Sequence, residues 1–281
     1  MKELGFEMSR ESLLLFLLIN YSLAGDVWPK PKQITTGAGS VSVLPEHIFF
    51  SIQKPANSIL VKAVERYTQL FFPFPYEYKN TSEITGKYLT EIHIEISDKS
   101  EELNFPVDES YRIEARKLDE NKYKLRLTAK TCFGAMYGLE TLSQLIEPRE
   151  IANSSMYTYA IDGVPFTIED QPRFAWRGMM YDTARHFAPK EELFQLLDAM
   201  AYTKLNVLHW HITDEQSFPI ESFFFPDLKK GSWDQDAIYS WQDVDQVIEY
   251  ARSRGILVVP EIDMPGHCKS WGVGYPDVIT T

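Results

Sequence analysis

The sequence predicts an α/β protein, in which an N-terminal α+β region precedes a set of parallel strand–helix units. Two observations carry this prediction. Up to about residue 160, alternating strands are interspersed with two helices, whereas after residue 172 the order is strand, helix, strand, helix, strand. The strands of the second part are apolar almost throughout, as expected when both faces are buried. Helices joining such strands indicate right-handed βαβ units in a parallel sheet.

The N-terminal elements follow from hydrophobic periodicity. Residues 57–72 place Leu60, Val64 and Tyr67 on one stripe of a helix, and residues 88–97 alternate as a half-buried strand. Residues 111–115 and 123–127 alternate around a polar turn and predict a β-hairpin, and a second helix is predicted from about 131 to 146. No catalytic residue types cluster here, so we expect this layer to be structural or accessory.

The predicted division of the chain has three parts. An apolar run, Leu13 to Leu18, followed by small residues predicts a signal peptide over 1–25, and the run is too short to span a membrane. The α+β region is expected over 26–165 and the parallel region over 172–281, because Gly163, Pro165 and Pro172 punctuate the segment between them. The signal, with Asn-x-Ser/Thr sites at Asn80 and Asn153, predicts the secretory route and a lysosomal or extracellular location.

The C-terminal elements begin with a strand at 176–182. Pro189 then opens a helix with Glu191 and Glu192 in its first turn. A second strand is predicted over 205–212, a helix from the capping box of Ser240 and Asp243 to Gly255, and a third strand over 256–262. A complete (β/α)₈ barrel needs about 250 residues. Because only 106 residues follow from Trp176 onward, the pattern predicts either part of a barrel or another parallel fold.

Charge and cysteine content exclude several function classes. With 28 basic and 40 acidic side chains the net charge is −12, so no basic surface for nucleic acid is expected. The two cysteines, Cys132 and Cys268, form no recognisable disulfide framework and are predicted to be buried free thiols.

Polar side chains collect where the three parallel strands end. The first strand brings Arg177 and Asp182, then Arg185 and His186. The second leads through His209 and His211 to Asp214, and the third through Glu261 and Asp263 to His267. The carboxyl ends of parallel strands form the reactive edge of such sheets, which predicts a site there.

The residues leave several chemistries open. His209 and His211 share one strand face and, with Asp214, Asp263 and His267, offer a metal set, although packed histidines explain the same spacing. A serine nucleophile is disfavoured because no Gly-x-Ser-x-Gly turn is present. Glycoside hydrolysis needs carboxylates around a sugar and aromatic walls, which Trp176, Trp210, Trp233 and Trp271 offer, unless they are simply core residues.

Three ordered motifs resemble the opening blocks of the family 20 glycoside hydrolases, the β-N-acetylhexosaminidases of the eukaryotic lysosomal type. They are Trp176-Arg-Gly-Met-Met-Tyr-Asp-Thr-Ala-Arg-His186, Lys204-Leu-Asn-Val-Leu-His-Trp-His-Ile-Thr-Asp214 and Pro260-Glu-Ile-Asp-Met-Pro-Gly-His267. The segment from residue 28 onward is similar to the family's non-catalytic α+β domain. The resemblance therefore implies this domain followed by the first three βα units of an incomplete (β/α)₈ TIM barrel.

The resemblance also implies a mechanism and residue roles. A retaining hydrolysis of terminal non-reducing N-acetyl-hexosamine is expected, in which the substrate's own acetamido oxygen is the nucleophile. Arg177 is expected to grip sugar hydroxyls, and Asp214 and His267 to form a relay to a catalytic Glu. His211 and Glu261 are expected to support the site. These groups would converge at the mouths of the three strands.

One departure from the family pattern bears on activity. The family's Gly-Gly-Asp-Glu block, which carries the acid/base Glu, is absent from the 281 residues. We therefore expect this chain alone to be inactive, and the alternative is a non-catalytic glycan-binding or subunit-pairing fragment. No cofactor or metal is expected. The predicted partners are glycans that end in N-acetylglucosamine or N-acetylgalactosamine, with a homo- or hetero-dimer possible and neither nucleic acid nor a membrane span.

Overall fold

The computed structural model describes residues 27–77 and 86–279. The predicted signal peptide and Asn80 lie outside the described residues. Within the described part of the chain, no helix is both long and apolar enough to cross a membrane. The predicted α/β class is confirmed, with two separate sheets and helices packed on each.

The N-terminal layer is a seven-stranded mixed sheet. Its strands are β1 (Gln33–Val43), β2 (Phe49–Ile52), β3 (Tyr88–Ile96), β4 (Tyr111–Lys117), β5 (Lys122–Ala129), β6 (Glu147–Glu150) and β7 (Tyr157–Asp170). The order is β1-β3-β5-β4-β7-β6, β2 pairs with β3, and β1 also pairs with β7. The predicted hairpin is β4–β5, with Ala115 opposite Leu125.

Two helices cover this sheet, α1 (Ser58–Phe71) and α2 (Cys132–Leu145). Both begin where the sequence predicts, because the side chains of Asn57 and Thr131 accept hydrogen bonds from backbone N–H groups of the first turn. Their buried faces join the sheet's inner residues in one core that includes Leu60, Ile94 and Leu139.

The end of the N-terminal layer differs from the predicted boundary. Residue 165 lies inside β7, which continues to Asp170 and pairs with both β1 and β4. Gly163 interrupts the regular pattern through a φ of 79°, which glycine adopts without strain, and the strand resumes after it. The division of the chain into a signal and two regions stays a prediction.

The C-terminal part is a three-stranded parallel sheet of β8 (Gly178–Asp182), β9 (Val207–Thr213) and β10 (Leu257–Ile262), in the order β10-β9-β8. Two helices, α3 (Lys190–Tyr202) and α4 (Trp241–Arg252), pack on one face through a core that contains Leu197, Trp210 and Val247. Short 3₁₀ helices lie at Pro226–Gly231, Lys269–Val273 and Pro276–Val278.

The other face of the parallel sheet is not covered within the described residues. Met180 of β8 is 55% exposed, and His209 of β9 and Val259 of β10, which stand beside it in register, are partly exposed. The expectation that these strands are buried on both faces is therefore wrong for β8 and β10. Their apolar composition reflects one face that packs on helices and a second face that contacts no other layer here.

Candidate functional site

The parallel sheet brings three polar side chains side by side at its carboxyl edge. The strand register pairs Asp182 of β8 with His211 of β9, and His211 with Glu261 of β10. All three lie on the face away from the helices, because the alternate residues Leu208, Trp210 and Ile212 form the core against α3 and α4. The three side chains at the predicted site therefore lie on the same face of the sheet.

Asp214 lies at the centre of the cluster, one residue beyond β9, and its side chain is only 1% exposed. One carboxylate oxygen accepts the backbone N–H of Glu215 at 2.6 Å. The other lies 2.9 Å from His211 Nε2 and 2.9 Å from Arg185 Nη2. Burial disfavours the charged carboxylate, but these donors outweigh it and hold the pKa of Asp214 below its usual range.

His211 connects this aspartate to β10. Its Nδ1 lies 2.9 Å from Glu261 Oε2, while the same oxygen is 2.5 Å from His209 Nε2. Burial disfavours the imidazolium, yet the hydrogen bonds to Glu261 and Asp214 prevail and raise the pKa of His211. The hydrogen bonds of Glu261 with His211 and His209 lower the pKa of this carboxyl, and they outweigh burial, which acts in the opposite direction. His211 and Glu261 thus brace Asp214 from one side.

His267 follows β10 with a φ of 59°, a left-handed conformation that is uncommon for a residue with a side chain. Its Nδ1 lies 2.7 Å from Asp263 Oδ2 and 3.6 Å from Asp214 Oδ2. The imidazole is 60% exposed, so Nε2 is free to face a bound molecule. Asp214 and His267 lie close together, but the hydrogen bond of His267 Nδ1 is to Asp263, so the relay from Asp214 through His267 stays a prediction.

Among the described residues, one group of side chains at this edge has the donor atoms to hold a metal ion. Ligand atoms of His211, Asp214 and Asp263 lie within 4.8 Å of one another. His209, also in the predicted metal set, instead contacts Glu261. The guanidinium of Arg185 lies 2.9 Å from a carboxylate oxygen of Asp214, and this cation beside the donors disfavours a second positive charge.

Arg177 does not lie where the resemblance led us to expect it. It precedes β8, at the amino end of the sheet, and its backbone N–H donates to Asn206 just before β9. Its side chain donates to the carbonyl oxygens of Lys204 and Phe174 and to Tyr137 Oη, and pairs with the buried Glu109 at 2.9 Å.

The prediction that Arg177 joins Asp214 and His267 at the strand mouths is therefore wrong. Arg177 does not pair with Asp182 either, because Asp182 pairs with Arg185. The Arg177 side chain instead connects the parallel unit to the N-terminal layer through its contacts with Glu109 and Tyr137.

Arg185 is the arginine that the structure brings to the site. It follows β8 and pairs with Asp182 at 2.5 Å and Asp214 at 2.9 Å, while its Nε donates to Gln216. These contacts use three of its five N–H groups and leave two for a ligand. The sequence signal was available, since Asp182 and Arg185 both lie at the end of the strand, whereas Arg177 begins it.

The four tryptophans are distributed differently from the expected sugar walls. Trp210 is buried against Thr183, Trp271 packs edge-on against Phe218, and Trp176 lies with Phe105 before β8. Trp233 is 58% exposed and donates to the carbonyl of Ala184, next to Arg185. Only Trp233 among these four offers an open indole near the cluster.

Both parts of the chain match models of known protein families. The model described as "Glycosyl hydrolase family 20, catalytic domain" matches residues 174–281, and "beta-acetyl hexosaminidase like" matches 27–145. "Beta-hexosaminidase subunit A1" of Dictyostelium discoideum is 37% identical over 98% of this chain and 49% of its own length. The rat "Beta-hexosaminidase subunit beta" is 37% identical over 95% and 49%.

Solved structures agree in fold. A chitobiase of Flavobacterium johnsoniae superposes with a TM-score of 0.70 at 30% identity, over 89% of this chain and 36% of the other. A β-N-acetylhexosaminidase of Streptomyces coelicolor superposes with a TM-score of 0.67 at 28% identity, over 91% and 50%. The chain spans about half the length of the curated relatives it matches. On these matches, which together extend over most of its residues, the chain belongs to glycosyl hydrolase family 20.

Proposed function

We propose that this chain carries the sugar-recognition half of a β-N-acetylhexosaminidase site, for hydrolysis of terminal non-reducing N-acetyl-hexosamine residues. The observation that carries the proposal is the cluster of Arg185, Asp214 and His267 at the carboxyl edge of β8–β10. A guanidinium with two unused N–H groups suits neighbouring sugar hydroxyls, and a carboxylate beside an imidazole suits proton transfer.

The roles divide between holding and proton movement. Arg185 is held in place by Asp182 and Asp214 and would donate to hydroxyls of the terminal sugar. Asp214 would orient His267, whose exposed Nε2 would then hydrogen-bond an acid/base carboxylate and adjust its pKa. In the substrate-assisted reaction the acetamido oxygen attacks the anomeric carbon, so the protein supplies no nucleophile of its own.

The experiment compares two arginines. Binding of N-acetylglucosamine to the 281-residue chain is measured by ligand-observed NMR for wild type, Arg185→Ala and Arg177→Ala. Arg185→Ala is expected to weaken sugar binding by the folded protein at least tenfold; the buried Asp214 loses this cation but keeps His211 and the backbone N–H of Glu215 as donors. Arg177→Ala is expected to cost about 3 kcal/mol of stability, since Glu109 is left buried without its cation, and to keep the sugar affinity of the folded protein. Unchanged binding by Arg185→Ala contradicts the proposal.

A second measurement separates hydrolysis from binding. No Asp-Glu pair in a Gly-Gly context occurs among the 281 residues, which favours the alternative of glycan binding without turnover by this chain. A chromogenic N-acetylglucosaminide is the substrate. Sugar binding without release of the chromophore supports glycan binding without hydrolysis by this chain, whereas turnover shows that another group serves as acid/base.

We also propose the secretory route, with a lysosomal or extracellular location, and a homo- or hetero-dimer. The predicted signal and Asn153 support the first, and the relatives' names as subunits support the second. Light scattering of the purified chain tests the dimer, and a mass of one chain at micromolar concentration counts against a homodimer.

A further inference from the structure

A cavity of about 570 Å³ lies between the N-terminal layer and the parallel unit, away from the sugar site. It is bounded by residues 29–32 before β1, residues 170–174 after β7, and Thr203 and Lys204 ahead of β9. These segments are at the amino end of the parallel sheet. The five residues of β8 separate the cavity from the Arg185 cluster by roughly 16 Å.

The lining is strongly cationic, although the whole chain has a net charge of −12. Five positive side chains contribute to it: Lys30, Lys32, Arg173, Arg177 and Lys204. Among the described residues that line it, Asp170 is the only acidic one. An excess of positive charge in a concave, partly desolvated space attracts anions more strongly than the same charges on a flat surface.

Two of these cations are committed to the structure. The ammonium of buried Lys204 donates to Tyr111 Oη and Thr141 Oγ1 at 2.8 Å each and lies 3.4 Å from Asp170. Arg177 is likewise saturated by Glu109, Tyr137 and backbone carbonyls. They set a positive wall but have no N–H group left for a ligand.

The other three cations are exposed and have no acidic partner among the described residues. The side chains of Lys30 and Lys32 form no ion pair there, and the guanidinium of Arg173 only stacks on Phe174, 5.3 Å from the ring centroid. Asp170 does not neutralise them, because its oxygens already accept from Tyr111 Oη and the backbone N–H of Lys32 and face Lys204. Their charge is available to an incoming anion.

The remaining lining is apolar and indicates what the anion is attached to. Phe174 is 65% exposed, and Pro29 and Pro172 stand with it at the cavity wall. A fully hydrated inorganic ion would leave these surfaces unused, whereas an apolar body would bury them. We propose that this cavity binds an organic oxyanion, a phosphate or sulfate ester, with its charged group at Lys30, Lys32 and Arg173 and its apolar body on Phe174.

Such a ligand would contact both layers at once. Lys30 and Lys32 precede β1 of the N-terminal sheet, while Arg173 and Phe174 lead into β8. Because a ligand that binds only the folded protein stabilises it, occupancy would raise resistance to unfolding without contacting the sugar cluster. Anion binding at this cavity is independent of the proposed hydrolase function.

Phenyl phosphate, inorganic phosphate and phenol are titrated by calorimetry into the 281-residue chain at constant ionic strength. Phenyl phosphate is expected to bind one site about tenfold more tightly than inorganic phosphate, because the ring adds apolar burial. Phenol, which lacks the charge, is expected to show no saturable binding. Equal affinity for phenyl phosphate and inorganic phosphate overturns the apolar half of the proposal, and saturable binding of phenol overturns the anionic half.

Two triple variants remove the same number of charges. Lys30→Ala/Lys32→Ala/Arg173→Ala is expected to weaken phenyl phosphate binding at least tenfold. Lys54→Ala/Lys62→Ala/Lys117→Ala removes three exposed lysines outside the cavity lining and is expected to bind as wild type does. Equal weakening in both variants assigns the effect to net charge and overturns the site, as does undiminished binding by the first variant.

Discussion

His211 is the residue at which the site's electrostatics can be measured most directly. Its ring lies between Glu261 and Asp214, with Asp182 nearby, and the pKa of His211 is raised although burial opposes the charge. A raised pKa means that the folded state binds the proton more tightly than the unfolded state. The stabilisation is therefore complete below pH 6.5 and is lost as pH rises through the higher folded value.

We expect NMR titration of the His211 ring to give a midpoint above 6.5 and Glu261→Gln to move that midpoint downward. The glutamine keeps the side-chain size but removes the charge that favours the imidazolium. Glu221→Gln, whose carboxylate pairs with Lys229 away from the cluster, is the control and should leave the His211 midpoint in place. If Glu261→Gln leaves the His211 midpoint unchanged, the contact between His211 and Glu261 does not stabilise the imidazolium.

The sequence predicted most of this cluster, because strand ends can be read from where an apolar run turns polar. Asp214, His267, His211 and Glu261 all follow or close their strands and all meet at one edge. Arg177 was assigned to the sugar through the family resemblance, although it opens the predicted strand and therefore lies at the opposite end of the sheet from Asp214 and His267. Hydrophobic periodicity predicts the face of the sheet on which a strand residue lies, but it does not show to which end of the strand that residue is closer.

At the scale of elements, α4 shows how local chemistry fixes a helix start. Ser240 accepts from the backbone N–H of Asp243 at 3.2 Å, and the Asp243 carboxylate accepts from the backbone N–H of Ser240 at 3.0 Å. Asp243 also pairs with Lys190 at the beginning of α3. The capping box therefore joins the first turns of the two helices that cover the parallel sheet.

We expect Ser240→Ala to lower the free energy of unfolding by about 1 kcal/mol, because the N–H of Asp243 loses its acceptor. Ser240→Gly should cost only a few tenths, since glycine suits the extended N-cap backbone and lets water reach the free N–H. Urea denaturation of the two variants checks this. Equal losses for alanine and glycine would argue against the cap as the source of the effect.

Other elements were harder to predict from local sequence. β1 was not predicted, because residues 33–43 carry glycines and little alternation, and they become a strand through pairing with β7 and β3. β7 was not predicted as a strand either, because Gly163, Pro165 and Pro172 indicated a boundary, but pairing with β1 and β4 holds the segment extended. In both cases non-local pairing decided the conformation.

At the scale of the whole molecule, polar groups fasten the two layers together. Glu109, Tyr137, Tyr111 and Thr141 of the N-terminal layer hold Arg177, Asn206 and Lys204 of the parallel unit. Buried ions without partners are costly, so each of these contacts restricts how the layers can be arranged. The fold of each layer was predictable from periodicity, but this interface was not, because its members are isolated polar residues without a pattern.

Glu140 makes the stability of this arrangement depend on pH. It is buried on α2, hydrogen-bonded to Tyr67 and Gln144, with Lys204 nearby, and burial raises its pKa from 4.5 to about 7. The folded state thus binds this proton more tightly than the unfolded state. The free energy of unfolding should therefore rise on this account as pH falls from above 7 toward 4.5.

We expect wild type to gain about 3 kcal/mol relative to Glu140→Gln between pH 8 and pH 5, since each pKa unit is worth about 1.4 kcal/mol. The glutamine has no proton to take up, so its stability lacks this slope, while its amide can still hydrogen-bond Tyr67 and Gln144. Urea denaturation of both proteins across this range is the measurement. Glu249→Gln at an exposed position of α4 controls for the loss of one charge. Parallel pH profiles of wild type and Glu140→Gln would mean that Glu140 is ionised in the folded protein, with Lys204 compensating its charge.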